Sequence, residues 1–253
     1  MEQQIRYCTT SDGVRIAYAI TGEGPPVVRV VGWFSHLEYE WKSKYWRPLL
    51  EAQASQNLHI RYDGRGMGLS DREVSDFSLE AHVRDLEAVV EAAGIERFGL
   101  SGLSQGGPTA ITYAVRHPER ITHLVLYGSY ARPRPGGLNL ETAEGRAQVE
   151  AMLRLMRYGW GSDTPAFRQM FTGLFMPEAD SDSLREFNEM QRASTSGETA
   201  VALFTAMMDV DVTDLLPKVS APTLVIHRKG DAIVPFERGR ELATTIPGAR
   251  FLP

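Results

Sequence analysis

The sequence predicts an α/β fold, a mostly parallel sheet covered by helices, with a purely helical stretch inserted before its last strands. Three observations carry this. Strand-like runs alternate with helix-like ones over residues 1–131, helical patterns alone occupy 132–213, and alternation returns over 214–253.

Taken in order, Arg6–Thr10 and Val14–Ile20 are β-rich runs around Ser11-Asp12-Gly13, a hairpin turn signal. TGEGPP leads into VVRVVG, an apolar run suited to a buried parallel strand, and NLHIRY (57–62) predicts the next. Leu79, Val83, Leu86, Val89, Val90 and Ala93 share one helical face, with Ser78 placed to cap the start and Gly94 the end. RFGLSG predicts a strand, PTAITYAVRH a helix with Pro108 in its first turn, and ITHLVLYG a strand. Arg132-Pro133-Arg134-Pro135-Gly136-Gly137 then opens the helical stretch, with helices at Gln148–Tyr158, Ala166–Met176, Ser183–Arg192 and Thr199–Met208. APTLVIH, FERGRELATTI and ARFLP restore the strand, helix, strand order.

With 253 residues, 43% hydrophobic and 23% charged, the chain can bury a substantial core. Net charge is −5 and no Lys/Arg block occurs, which argues against nucleic acid and acidic membrane surfaces as partners. MEQQIRYCTTSDG lacks the organisation of a signal peptide, and no apolar run reaches bilayer-spanning length. Cys8 stands alone, so neither an internal disulfide nor a cysteine zinc site is expected. The expectation is a soluble, cytoplasmic protein whose oligomeric state the sequence leaves open.

Chemistry concentrates at Gly102-Leu103-Ser104-Gln105-Gly106, a G-x-S-x-G between a predicted strand and a predicted helix. A serine on such a sharp turn needs small neighbours on both sides, and the helix N-terminus then faces any oxyanion formed there. Ser101 fails the test because Leu103 stands where a small residue is required. Ser104 is the candidate nucleophile.

At this point the chain resembles the α/β-hydrolase superfamily along nearly its whole length. Asp63-Gly64-Arg65-Gly66-Met67-Gly68-Leu69-Ser70-Asp71 is similar to the family's D-x-R-G-x-G-x-S-D turn, and His117-Pro118-Glu119-Arg120 also fits the family. Val30-Val31-Gly32-Trp33 takes the place of its L-H-G-F oxyanion loop, with Val31 instead of the usual histidine. The resemblance implies an oxyanion hole formed by the backbone N–H groups of Trp33 and Gln105, and identifies the 132–213 stretch with the family's cap. VVGWFSHLEYEW, YGWGSDTPAFRQMF and DVTDLLPKVSAPTLVIH further resemble bacterial hydrolase domains often fused to regulatory or adenylate cyclase domains.

Gly230-Asp231-Ala232-Ile233-Val234-Pro235 looks like the family's G-D-x-x-V-P acid loop, which implies Asp231 as the triad acid that orients an imidazole. Asp209, Asp211 and Asp214 read as structural caps. The family's order is serine, acid, histidine, yet no histidine follows Asp231 and the final helix has no counterpart. This reads as a chain cut short from a longer parent. Of the six histidines, His59, His82, His117 and His123 read as packing or surface residues. His36, after the oxyanion loop, and His227, before the acid loop, are the candidates for a pocket residue or substitute base.

The helical stretch is rich in Met and Phe, which suggests an adaptable apolar pocket. The expected function is hydrolysis of small to medium hydrophobic carboxylic esters through an acyl-enzyme. No metal cluster, dinucleotide fingerprint or P-loop occurs, so no cofactor and no metal are implied. Two alternatives remain: a small-molecule sensing module without turnover, and a lactonase or perhydrolase on the same fold.

Overall fold

Eight strands form one sheet in the computed structural model, which describes residues 2–133 and 142–253. β1 (Gln4–Thr9) and β2 (Arg15–Thr21) make an antiparallel hairpin whose turn uses Gly13 at φ 85°. β2 runs antiparallel to β4 (Leu58–Tyr62), which lies parallel to β3 (Pro26–Val30). From there the sheet stays parallel through β5 (Phe98–Leu103), β6 (Ile121–Tyr127), β7 (Thr223–Ile226) and β8 (Arg250–Leu252). The order across the sheet is β1-β2-β4-β3-β5-β6-β7-β8. Central strands are covered on both faces, which is why Val28, Ile60, Leu100, Leu124 and Val225 are all fully buried.

Nine α-helices accompany the strands among the described residues: α1 (Leu37–Lys42), α2 (Trp46–Ala54), α3 (Leu79–Ala92), α4 (Gly106–Arg116), α5 (Ala143–Gly159), α6 (Ala166–Phe175), α7 (Ser181–Ser194), α8 (Gly197–Met208) and α9 (Phe236–Thr245). The Ser78 hydroxyl accepts from the Ala81 amide to start α3, and Gly94 follows its end at φ 66°. Four helices begin earlier than the sequence pattern predicts, α7 and α8 by two residues each. Gly106 and Gly107 already belong to α4, and α5 begins five residues before Gln148, where Thr142 accepts from Gly145 N–H. α1 and α2 were not anticipated at all.

The α5–α8 segment carries its own apolar cluster, in which Met156, Trp160, Phe171 and Phe204 surround Phe34 from the loop after β3. The expected boundary at Arg134-Pro135-Gly136-Gly137 lies outside the described residues. Ion pairs knit the β2–β4 side of the sheet. Glu40 of α1 receives Arg61 at 2.5 Å and Arg29 at 2.8 Å, while Arg65 bridges buried Asp85 and Asp12. Among the described residues, no helix is long and apolar enough to cross a membrane.

Candidate active site

β5 passes into α4 through Ser104, whose φ is 50°. No other non-glycine residue among those described has positive φ. An L-residue pays roughly 1–2 kcal/mol for this conformation, so something must enforce it. Ser104 N–H donates to the Tyr127 carbonyl at 2.9 Å, and the Ser104 carbonyl accepts from Gly107 N–H at 3.0 Å and from Ser129 Oγ at 2.8 Å.

The neighbouring glycines are steric requirements. A β-carbon on Gly102 would approach Gly107 Cα to 2.9 Å, and one on Gly106 would approach the Val31 carbonyl to 2.6 Å. On Gly107 it would collide with Ser129 Oγ. These contacts press α4 against the carboxyl ends of β3 and β6, so the first amides of α4 and the side chain of Ser104 share one end of the sheet.

The Val30–Trp33 loop runs along this turn, since a β-carbon on Gly32 would stand 3.3 Å from the Leu103 carbonyl. Trp33 therefore follows a residue in contact with the one before Ser104. Its ring meets Phe34 edge-on at 4.5 Å and Phe204 of α8 at 5.6 Å. Gln105 caps α4 in helical conformation without a side-chain hydrogen bond.

Asp231 stands on the loop after β7. Its Oδ1 accepts from the amides of Ile233 (2.9 Å) and Val234 (2.8 Å), an arrangement that fixes the carboxylate. Its Oδ2 faces Gly128, where an added β-carbon would lie 3.4 Å away. Gly128 follows Tyr127, the acceptor of the Ser104 amide, so the acid and the serine stand at the same end of the sheet, beyond β7 and β5 on either side of β6. Oδ2 has no hydrogen-bond donor among the described residues; His227 Nε2 is nearest among histidine nitrogens, at 3.9 Å.

The two candidate histidines have different surroundings. His227 is fully buried and its Nε2 lies 2.9 Å from the Val234 carbonyl, which places the proton on that nitrogen. Its Nδ1 is buried without a partner, and the ring packs so tightly on Gly239 of α9 that a β-carbon there would collide with it. Both nitrogens are thus enclosed by the acid loop and α9. His227 packs between that loop and α9, with Nε2 turned to the Val234 carbonyl. His36 sits at the N-cap of α1, edge-on to Tyr39 at 4.8 Å, and burial lowers its pKa. Among the described residues, no histidine side chain hydrogen-bonds to Ser104.

Two hollows occur near these elements. The larger, about 260 Å³, lies between α1, the start of α2 and α7, with Tyr39, Trp46, Phe187 and Met190 in its walls and no contribution from Ser104 or its neighbours. The smaller, about 20 Å³, touches Gln105, Tyr130 and Met207. Gln105, which immediately follows Ser104, brings the smaller hollow next to the serine turn. Ser129 and Tyr130 escaped the sequence-based reading, because a Gly-Ser-Tyr after a strand carries no motif of its own.

Comparison with known proteins agrees with this architecture. The family model described as alpha/beta hydrolase fold matches residues 25–252. The chain is 27% identical to the AB hydrolase superfamily protein YisY of Bacillus subtilis (strain 168), over 98% of this chain and 89% of that protein. It is 28% identical to a non-heme haloperoxidase of Rhodococcus erythropolis, over 95% of this chain and 87% of the other. The solved structure of an esterase from Exiguobacterium antarcticum superposes with a TM-score of 0.79 at 26% identity, covering 97% of this chain and 88% of that one.

Proposed function

The chain belongs to the alpha/beta hydrolase family and is a hydrolase, and from that premise we propose that it cleaves small to medium hydrophobic carboxylic esters with Ser104 as nucleophile. The observation carrying this is the enforced positive φ of Ser104 between β5 and α4. A packing role would need no such strain, whereas a nucleophile held above the helix N-terminus does.

Ser104 Oγ attacks the acyl carbonyl carbon, and the developing oxyanion is received by the backbone N–H groups of Trp33 and Gln105. The serine proton passes to a base held by Asp231, whose free Oδ2 marks where that base must stand. The base returns the proton to the departing alkoxide, leaving an acyl-serine. Water then adds to the acyl carbon, giving its proton to the base, and the acid leaves as Ser104 recovers its own. The 132–213 stretch serves as the cap. Trp33, Phe34, Trp160 and Phe204 supply the apolar surroundings that favour a neutral acyl group.

The similarity to a haloperoxidase supports a second use of the same acyl-serine. There, hydrogen peroxide replaces water in the second step and releases a peracid.

The test is turnover of p-nitrophenyl acetate and butyrate by the protein and its Ser104→Ala variant, with and without hydrogen peroxide. Release of nitrophenol that disappears in the variant supports the assignment. No release from a folded protein removes it. Peracid formation exceeding acid formation selects the second use.

A further inference from the structure

The 20 Å³ hollow beside the serine turn holds two polar atoms that the packing leaves unanswered. Gln105 and Tyr130 both line it, and Gln105 Oε1 and Tyr130 Oη are buried without a hydrogen-bond partner. Tyr130 is only 4% exposed. Phe77, Leu79, Pro108, Met207 and Val210 supply the apolar part of the wall, and His82 and Thr109 complete it. A buried donor or acceptor without a partner is costly enough that such pairs normally meet a ligand or an ordered water.

We propose that this recess is a subsite for a hydroxyl group on the acyl chain of the substrate. The inference rests on the ester-cleaving assignment above and adds a substrate class to it, namely esters of hydroxy acids. Gln105 Oε1 can only accept, and Tyr130 Oη can donate. A hydroxyl satisfies both at once, donating to the amide oxygen and accepting from the phenol. A ketone oxygen would leave Gln105 unanswered. A carboxylate could not donate to Gln105, and an ammonium could not accept from Tyr130. The hollow's size suits one oxygen atom. Its position suits the acyl side, because Gln105 immediately follows the nucleophile and supplies one of the oxyanion amides.

The geometry makes Tyr130 a specificity determinant and the Gln105 side chain its complement. The experiment compares kcat/KM on p-nitrophenyl butyrate with the 2-hydroxy- and 3-hydroxybutyrate esters, for the protein and for Tyr130→Phe and Gln105→Met. At least one hydroxylated ester should be preferred by tenfold or more, and that ratio should fall toward one in both variants. Absence of preference at either carbon overturns the subsite, as does a ratio unchanged in Tyr130→Phe. An equal loss on all esters also overturns it, since the two atoms then meet a structural water instead. Calorimetric binding of the same esters to Ser104→Ala, with and without Tyr130→Phe, separates this from the assignment of the reaction. A Tyr130-dependent preference in binding without turnover by the parent protein upholds the subsite and removes ester hydrolysis. Turnover without preference does the reverse.

Discussion

Ser129 Oγ donates to the Ser104 carbonyl at 2.8 Å and occupies the space that a side chain on residue 107 would need. One hydroxyl thereby braces the strained residue from the loop after β6 and forbids anything but glycine at position 107 of α4. Gly107→Ala should lower the melting temperature by several degrees, because the clash is with a hydrogen-bonded group that cannot retreat freely. Ser129→Ala should cost about 1 kcal/mol in urea unfolding and reduce ester turnover more than the stability loss alone explains.

Ser104 itself offers the opposite sign. Its left-handed conformation suits glycine without penalty, so Ser104→Gly should stabilise the fold by about 1 kcal/mol while abolishing acyl-enzyme formation. Calorimetric melting and a burst assay on p-nitrophenyl acetate read the two effects separately. A destabilised glycine variant would contradict the strain argument.

Arg168 is fully buried, and its guanidinium donates to the carbonyls of Trp160 at 2.7 Å and Ser162 at 2.6 Å. It closes the carboxyl end of α5, where carbonyls lack helical partners. Arg168→Met should destabilise the α5–α8 segment by about 2–3 kcal/mol. Hydrogen exchange should accelerate in α5 and α6 before it does in β4 to β6.

Acid sensitivity follows from histidines kept neutral. Burial, reinforced by Arg29 and Arg61, pushes His59 down to about 3, and burial with Arg65 pushes His82 down to about 4. An unfolded chain protonates both near pH 6.5 while the folded one refuses, so the unfolded state binds more protons and stability falls as pH drops below 6.5. Asp63 and Asp85, raised by burial to about 6, act oppositely between pH 6 and 3.8, since the folded chain holds those protons longer. The steepest loss should therefore lie between pH 6.5 and 6. His59→Gln should reduce the stability difference between pH 7.5 and 5 by about 2 kcal/mol, measured by urea titration at both values. An unaltered difference would show that His59 is not the group responsible.

The serine turn was legible in the sequence because its constraints are local: glycines at 102 and 106 and a strand running into a helix. The α3 face and its Ser78 cap were legible for the same reason. α1 and α2 were not. Neither has a side-chain cap at its start, α1 is six residues long, and α2 carries Pro48 in its first turn. Glu40 looks like a surface residue in sequence, yet it is buried because Arg29 and Arg61 reach it from neighbouring strands. Pairings across such distances leave no periodic trace. The same holds for His227, whose hydrogen bond to the Val234 carbonyl and close contact with Gly239 tie β7, the acid loop and α9 together.

Phe204, Trp33, Phe34 and Trp160 form an unbroken series of ring contacts from α8 through the loop beside Ser104 to the end of α5. The residue proposed to donate to the oxyanion is thus wedged into the helices that overlie it. Displacing α8 to admit a bulky acyl group would loosen the donor needed for its conversion. Size discrimination would then be enforced during bond-making as well as at the door: oversized substrates would saturate the protein and still react slowly.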